Sequence, residues 1–263
     1  MRPFTTWSWY SRSGRQRRIL FLSLTVLLVS GHLDAFLIPV HRQITENALL
    51  PFPQAEISAW ERTAIIRGCT DADLVEGDLP ITRGPYEKRF HFDNDFSYEA
   101  VMDNYAAVAR LIDRNLSRKE RDPWEFGKML HSIEDFYSHS NYVWLYRDYV
   151  AQSGNELVGS IPTLEEVSLD AKTYKGFIAM LRKDLHTGRY PLPKWHFVPT
   201  DTDHGYVIGP GMNKDSLQRP LFADARETAT RAASWYLRLY VGKKEARKKW
   251  IALKSTGLYS GAR

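Results

Sequence analysis

One run of residues near the middle of the chain constrains the fold more than any other. It extends from His131 to Asn141 and reads His-Ser-Ile-Glu-Asp-Phe-Tyr-Ser-His-Ser-Asn. In an α-helix, residues four apart share a face, so His131, Asp135 and His139 would project from the same side. Imidazole and carboxylate are ligands suited to zinc and similar divalent ions. The alternative is a buried helix with hydrogen-bonded histidines and a salt-bridged aspartate. Three such residues on one apolar stripe favour the metal site.

The rest of the chain predicts more helix. Asp122-Pro123 supplies an N-cap and a helix-opening proline before the central run, and Thr163 is a second candidate cap. Apolar residues recur at helical spacing, and we find neither an internal repeat nor an alternating strand pattern. A proline- and glycine-rich segment, 187–220, predicts loop. The sequence therefore predicts an all-α, single-domain helical bundle, with helices over 39–50, 57–67, 98–115, 124–150, 164–185 and 221–240.

The first 35 residues predict a cleaved export signal. Five arginines precede a short apolar run, Ile19 to Val29, and small residues lead to a cleavage point after Ala35. The run is too short to span a bilayer comfortably, so we favour export to the periplasm or the exterior over a membrane anchor. Arg17-Arg18 leaves the twin-arginine and general secretory routes both open. The predicted organisation is a signal over 1–35, a helical domain over 36–240 and a basic tail over 241–263.

Charge and cysteine content limit the classes of function and the sources of stability that the chain can have. The chain has 36 Lys and Arg against 31 Asp and Glu, and removing the signal's five arginines and one aspartate leaves an excess of one positive charge. A near-neutral mature chain does not indicate a nucleic-acid-binding surface. Cys69 is the only cysteine, so an internal disulfide is impossible, and stability must come from packing or from packing together with a bound metal.

Further histidines and acids accompany the central stripe. His41 opens the first predicted helix, Asp71 and Asp73 follow the second, and His91 lies between the second and third. A single histidine is more often structural than a ligand. Together with the stripe, however, these residues form the set that a site with several metal ions needs.

The chain resembles the zinc-dependent phospholipase C and fungal single-strand nuclease superfamily, and within it the HET-C-like (heterokaryon-incompatibility C) branch. The matching motifs occur in the family's order. They are Phe36-Leu-Ile-Pro-Val-His41, Gly68-Cys-Thr-Asp-Ala-Asp73, His91-Phe-Asp-Asn94, the central run from Leu130 to Asn141, and Gly211-Met-Asn-Lys-Asp-Ser216.

The resemblance implies an α-helical bundle with up to three Zn²⁺ ions in a cleft. It implies that Phe36, as the processed N-terminus, binds zinc through its amine and carbonyl, and that Asp73 bridges two ions. Near the last helix the sequence has Phe222 where the family has a histidine, so His204, with Asp203 or Asp224, would have to take that role. The implied ligands are Phe36, His41, Asp73, His91, His131, Asp135, His139 and His204, with Asp71, Asp78 and Asp224 as further possibilities.

The implied activity is phosphoester hydrolysis, with Asp73 orienting or deprotonating the attacking water. Glu134 and Asn141 would orient ligand imidazoles, and Lys214 or Arg226 would meet phosphate charge. The substrate is a phospholipid or a nucleotide, with the lipid slightly favoured by the near-neutral charge.

The basic tail with its aromatic residues predicts contact with an anionic membrane, against the alternative of a solvated helix end. The sequence indicates no obligate protein partner. A second hypothesis is a HET-C-like recognition or toxin module with structural zinc.

Overall fold

The computed structural model describes residues 38–76, 88–154, 159–190, 200, 202–203, 211–214 and 217–256. These residues are mainly α-helical and contain no β-strand beyond two isolated bridges, so the all-α prediction is confirmed. The predicted export signal and residues 257–263 lie outside the described ranges. Among the helices that the structure describes, none has both the length and the apolar character to cross a membrane.

The helices are numbered in chain order, and most lie close to their predicted positions. Their bounds are α1 Ile38–Leu49, α2 Ala59–Glu76, α3 Lys88–His91, α4 Tyr98–Ser117, α5 Pro123–His139, α6 Tyr142–Ser153, α7 Leu164–Leu169, α8 Lys175–Asp184, α9 Phe222–Tyr240 and α10 Lys244–Ser255.

Helix α5 is the centre of the bundle. It begins as predicted, because the Asp122 carboxylate accepts hydrogen bonds from the backbone N–H groups of Trp124 and Glu125, and Pro123 needs no such partner. From Phe126 onward all its residues except Lys128 are buried, and it packs against α1, α2, α3, α4 and α9. A helix covered on all sides can keep polar residues only where they find partners inside the protein.

The predicted helix over 124–150 is two helices. Helix α5 ends at His139, and α6 begins at Tyr142. The break is stabilised from far along the chain, because the Lys214 ammonium donates to the carbonyls of Ser138 and Ser140. These carbonyls stand at the end of α5, where a cation also interacts favourably with the helix dipole.

The predicted helix over 164–185 is also two helices, α7 and α8. Its cap is as predicted: Thr163 and Glu166 form a reciprocal capping box at the start of α7. Helix α7 ends at Leu169, and the Asp170 carboxylate then accepts a hydrogen bond from the Thr173 backbone N–H in the turn that follows. A local side chain-to-backbone bond of this kind competes with a continuous helix.

Two other elements differ from the prediction. Helix α2 continues to Glu76, so Asp71 and Asp73 lie inside a helix and not after it. Much of the predicted basic tail forms helix α10, which packs against α9 and α7. Trp250 of α10 is buried and donates its indole N–H to Asp113 at 2.8 Å. Helix α10, within the predicted tail, therefore contacts the bundle.

Candidate metal centre

Two glycines bring the main chains of α2 and α5 into contact. An ideal Cβ added to Gly68 would lie 2.0 Å from the carbonyl oxygen of Trp124, and one added to Gly127 would lie 2.1 Å from that of Ile65. Neither position has room for a side chain. The close crossing places the Asp73 carboxylate, one helical turn beyond Cys69, beside His131 and Asp135 of α5.

Four donor atoms meet at this crossing. The Nε2 atom of His131 lies 3.3 Å from His91 Nδ1, 3.4 Å from Asp73 Oδ1 and 3.1 Å from Asp135 Oδ2. His91 Nδ1 lies 3.8 Å from Asp73 Oδ1 and 3.4 Å from Asp135 Oδ2. A tetrahedral ion bonded at about 2.0–2.1 Å keeps its ligand atoms about 3.3–3.4 Å apart. These separations are close to that spacing, so Asp73, His91 and His131 can hold one small divalent ion. Asp135 Oδ2 lies 3.1–3.4 Å from both imidazoles.

Asp135 faces histidines with both of its oxygens. Its Oδ2 belongs to the set of four, while its Oδ1 lies 3.1 Å from Nε2 of His41. The rings of His41 and His131 stack with centroids 4.0 Å apart. The resemblance assigned the bridging position to Asp73, whereas these distances favour Asp135 as the carboxylate between two metal positions.

Glu134 orients His41, as the sequence suggested. Its Oε2 lies 2.7 Å from His41 Nδ1, and its other oxygen accepts from the Thr45 hydroxyl at 2.9 Å. A carboxylate at Nδ1 fixes the proton there and leaves Nε2 to act as a ligand. The Cys69 thiol also donates to Glu134, at 3.4 Å.

Cys69 is a possible ligand that the sequence analysis did not identify. Its sulfur groups with nitrogens of His41 and His131, all within 4.8 Å of one another. The sequence could have indicated it, because Cys69 lies four residues before Asp73, and that spacing places both side chains on one face of α2. The structure thus provides two overlapping ligand groups that share His131.

Several buried polar atoms at the crossing lack a hydrogen-bond partner among the described residues. Neither oxygen of Asp73 accepts a hydrogen bond, and His131 Nδ1 has no partner, among the residues that the structure describes. Both side chains are almost completely buried. Burying such groups without hydrogen bonds is unfavourable, so the arrangement is incomplete as protein alone. A cation bound by Asp73 would offset that cost.

The electrostatics lead to the same conclusion. Burial alone would lower the pKa of His131, but the carboxylates of Asp135 and Asp73 outweigh it and raise that pKa to about 9. Burial would raise the pKa of Asp135, yet His131 and His41 hold it well below its usual value. For Asp73 burial prevails, and its pKa is raised. The carboxylates need positive charge nearby, which protonated imidazoles or a metal ion can supply.

His139 lies beside the His91 backbone and outside the two ligand groups. Its Nδ1 is 2.5 Å from the carbonyl oxygen of His91 and 3.3 Å from Asp93 Oδ1. That nitrogen is engaged with the main chain. His139 thus helps to fix the segment that carries His91.

Asp71 and Asp224 have other partners. The Asp71 carboxylate accepts from the Trp124 indole at 3.0 Å and from Arg67 at 3.1 Å. Residues two apart in a helix lie on different faces, so the Asp71 side chain points away from that of Asp73. This spacing explains why Asp71 is separate from the ligand groups. Asp224 forms a two-pronged ion pair with Arg147, at 2.6 and 3.1 Å.

The side chains of Asn141 and Lys214 bind the main chain. The Asn141 amide donates to the Asp184 carbonyl and contacts the ring of His186, which is outside both ligand groups. Lys214 is completely buried, and its ammonium donates to three carbonyls, including that of Met212. An ammonium used in this way is not available to a phosphate. Phe36, Asp78 and His204 lie outside the described residues.

Comparison with known proteins gives no assignment. No family model matches the chain, and neither a curated protein nor a solved structure matches it. The finding carried by the structure itself is a buried cluster of His, Asp and Cys side chains that can hold a metal ion.

Proposed function

We propose that this chain is a zinc-dependent phosphoester hydrolase of the helical phospholipase C and nuclease type, closest to the HET-C-like branch. One observation carries the proposal: the imidazoles of His91 and His131 lie 3.3 Å apart, and each has carboxylate oxygens of both Asp73 and Asp135 within 3.8 Å. The ordered sequence motifs support it independently.

The donor set suits zinc. One ion would be held by Asp73, His91, His131 and Asp135, and a second by His41 with the other oxygen of Asp135 and the Cys69 sulfur. Nitrogen, oxygen and thiolate ligands together are typical of zinc, and less so of calcium or magnesium. A third ion would need ligands such as Phe36 and His204.

The protein's own groups have distinct roles in this proposal. Bound zinc would supply the Lewis-acid chemistry that makes water acidic near neutral pH and stabilises negative charge on phosphate. Asp73 is the proposed proton acceptor, because its oxygens have no donors among the described residues. Glu134 keeps the His41 proton at Nδ1. Phospholipid head groups remain slightly favoured over nucleotides as substrates.

The first test is elemental analysis of the purified protein, with N-terminal sequencing of the same sample. We expect two or three zinc ions per chain, a first residue of Phe36, and hydrolysis of a soluble chromogenic phosphodiester that Asp135→Asn abolishes while helicity is retained. A protein that binds no zinc after exposure to it would refute the proposal.

Burial favours the second hypothesis, in which zinc is structural in a recognition or toxin module. Side chains of His41, His131, Asp135 and Asp73 are at most 1% exposed, whereas a substrate must reach a catalytic metal. X-ray absorption by the zinc-loaded protein separates the two cases. A water or added phosphate in the coordination shell supports catalysis, and a closed shell of four protein ligands supports the structural role.

A further inference from the structure

An exposed apolar turn, residues 50–60, joins α1 to α2 and includes the first two residues of α2. Leu50 is 77% exposed and Trp60 is 69% exposed, and the intervening Pro51, Pro53 and Ala55 are exposed as well. Scattered exposed apolar residues are ordinary, but a turn that concentrates them and includes a tryptophan indicates a contact surface. Tryptophan is the residue that prefers the boundary between water and lipid.

The turn is held in a defined shape by Arg62. Its guanidinium donates to the carbonyls of Leu49 and Ile57, each at 3.1 Å, and to that of Phe52. Phe52 and Ile57 are themselves buried beneath the turn. The exposed apolar groups are thus presented by an ordered backbone, so docking them requires little additional ordering.

A basic segment lies next to this turn. Glu56 of the turn forms an ion pair with Lys243, immediately before α10, and Glu61 accepts a hydrogen bond from the Tyr240 hydroxyl at 3.0 Å. The turn's own acidic groups are therefore engaged. The first turn and a half of α10 adds an exposed Lys244, Arg247 and Lys248, of which Lys248 pairs with Glu245 at 3.1 Å. Lys244 and Arg247 are the cations that this face offers.

We propose that the 50–60 turn and the start of α10 form one face that docks on a bilayer containing anionic lipids. Leu50 and Trp60 enter the interface, and the cations of α10 meet the head groups. This face shares its cations with the predicted basic tail but takes its apolar anchors from the turn, because Trp250 is buried and Trp235 packs on its ring at 5.8 Å. The docking does not depend on the metal centre.

The test is co-sedimentation of the full chain with vesicles of phosphatidylcholine, alone or mixed with phosphatidylglycerol. We expect binding to the mixed vesicles that weakens as salt is added. Trp60→Ser should lower the partition coefficient about tenfold, since it removes one large apolar anchor. Lys244→Glu should lower the partition coefficient about fivefold, and on the mixed vesicles only.

Phe96→Ser is the matched control, because Phe96 is 57% exposed on a different segment, between α3 and α4. It should bind vesicles as the wild type does. Failure of the wild type to bind mixed vesicles, or wild-type binding by Trp60→Ser, overturns the proposal. So does a wild-type dimer in sedimentation velocity that Trp60→Ser dissociates, since the face would then serve a second copy. Hydrolysis of a soluble phosphodiester should be unchanged in Trp60→Ser, which separates this test from that of the proposed function.

Discussion

Two buried charges near the central helix differ in how the protein satisfies them. The Lys214 ammonium, completely buried, donates to the carbonyls of Ser138, Ser140 and Met212 at 2.7–2.9 Å. The Asp73 carboxylate is equally buried, yet neither oxygen accepts a hydrogen bond from the described residues. The first group is complete as protein alone. The second has only the imidazoles of His131 and His91 beside it, at 3.4 and 3.8 Å, and a bound cation would add the partner that it lacks. That difference separates a structural charge from a candidate binding site.

Lys214→Met tests the buried charge that the protein satisfies by itself, and we expect it to cause the largest loss of stability. The substitution keeps most of the side-chain volume but leaves three buried carbonyls without their donor, and it removes a cation that lies 4.9 Å from the centre of the Trp144 ring. We expect the free energy of unfolding to fall by about 3 kcal/mol in urea titrations. Zinc content per folded chain should not change.

The matched control is Lys248→Met, which removes an exposed lysine paired with Glu245. Its effect should stay below about 0.5 kcal/mol. If Lys214→Met were equally mild, the three carbonyls would have to find other donors, and the contrast with Asp73 would disappear.

Gly127→Ala tests the contact on which the ligand set depends. The added methyl group would meet the Ile65 carbonyl at 2.1 Å, so α2 and α5 must separate. We expect a loss of about 2 kcal/mol in the free energy of unfolding together with weaker zinc binding, since Asp73 moves away from His131.

Gly154→Ala provides the comparison for that variant. Gly154 has a positive φ of 67° but no atom near its missing side chain. It should lose about 1 kcal/mol from backbone conformation alone and keep its zinc affinity. Equal zinc affinity in the two variants would show that the close crossing does not position the ligands.

Glu134→Gln tests whether a residue that orients His41, without being a metal ligand itself, contributes to zinc affinity. It keeps the shape of the side chain but removes the charge opposite His41 Nδ1. We expect zinc affinity to fall about 10- to 100-fold in competition with a chelating dye. Glu165→Gln, a second completely buried glutamate that is bonded to Tyr105, should leave the affinity unchanged. A similar loss in both variants would point to general destabilisation.

Asp73→Asn should change stability the least, and it should change stability and zinc binding in opposite directions. The pKa of Asp73 is raised by burial, so its ionised form destabilises the metal-free protein. Removing the charge should raise the stability of that form by about 1 kcal/mol at neutral pH while sharply reducing zinc binding. In Asp71→Asn zinc binding should persist, because Asp71 is bonded to Trp124 and Arg67. If metal-free Asp73→Asn were less stable than the metal-free wild type, the Asp73 carboxylate would not be a destabilising group that a bound cation compensates.

The sequence predicted local features of the fold well. The caps at Asp122 and Thr163 were predicted correctly because each depends on neighbours two or three residues away. The break after His139 was not, since it involves an ammonium more than seventy residues further along. No window of local sequence contains that contact.

The candidate site was likewise predictable where it depends on local sequence and not where it depends on how the helices pack. His41, Asp73, His91, His131 and Asp135 were predicted as ligands from motif and helical spacing, and the structure brings them together. Which carboxylate lies between the imidazoles was not predictable, because it depends on how α2 and α5 are rotated where they touch. His139 shares the helical face of His131 and Asp135, but its Nδ1 is engaged by the backbone carbonyl of His91.

The contact between Gly68 and Gly127 provides a pattern by which distant relatives can be recognised. Each glycine stands at a fixed interval from the ligands it positions: Asp73 comes five residues after Gly68, and His131 and Asp135 come four and eight after Gly127. Side chains elsewhere in the core can be exchanged for others of similar volume. The two glycines cannot, so Gly-x₄-Asp followed by Gly-x₃-His-x₃-Asp should persist in chains whose overall similarity has otherwise been lost.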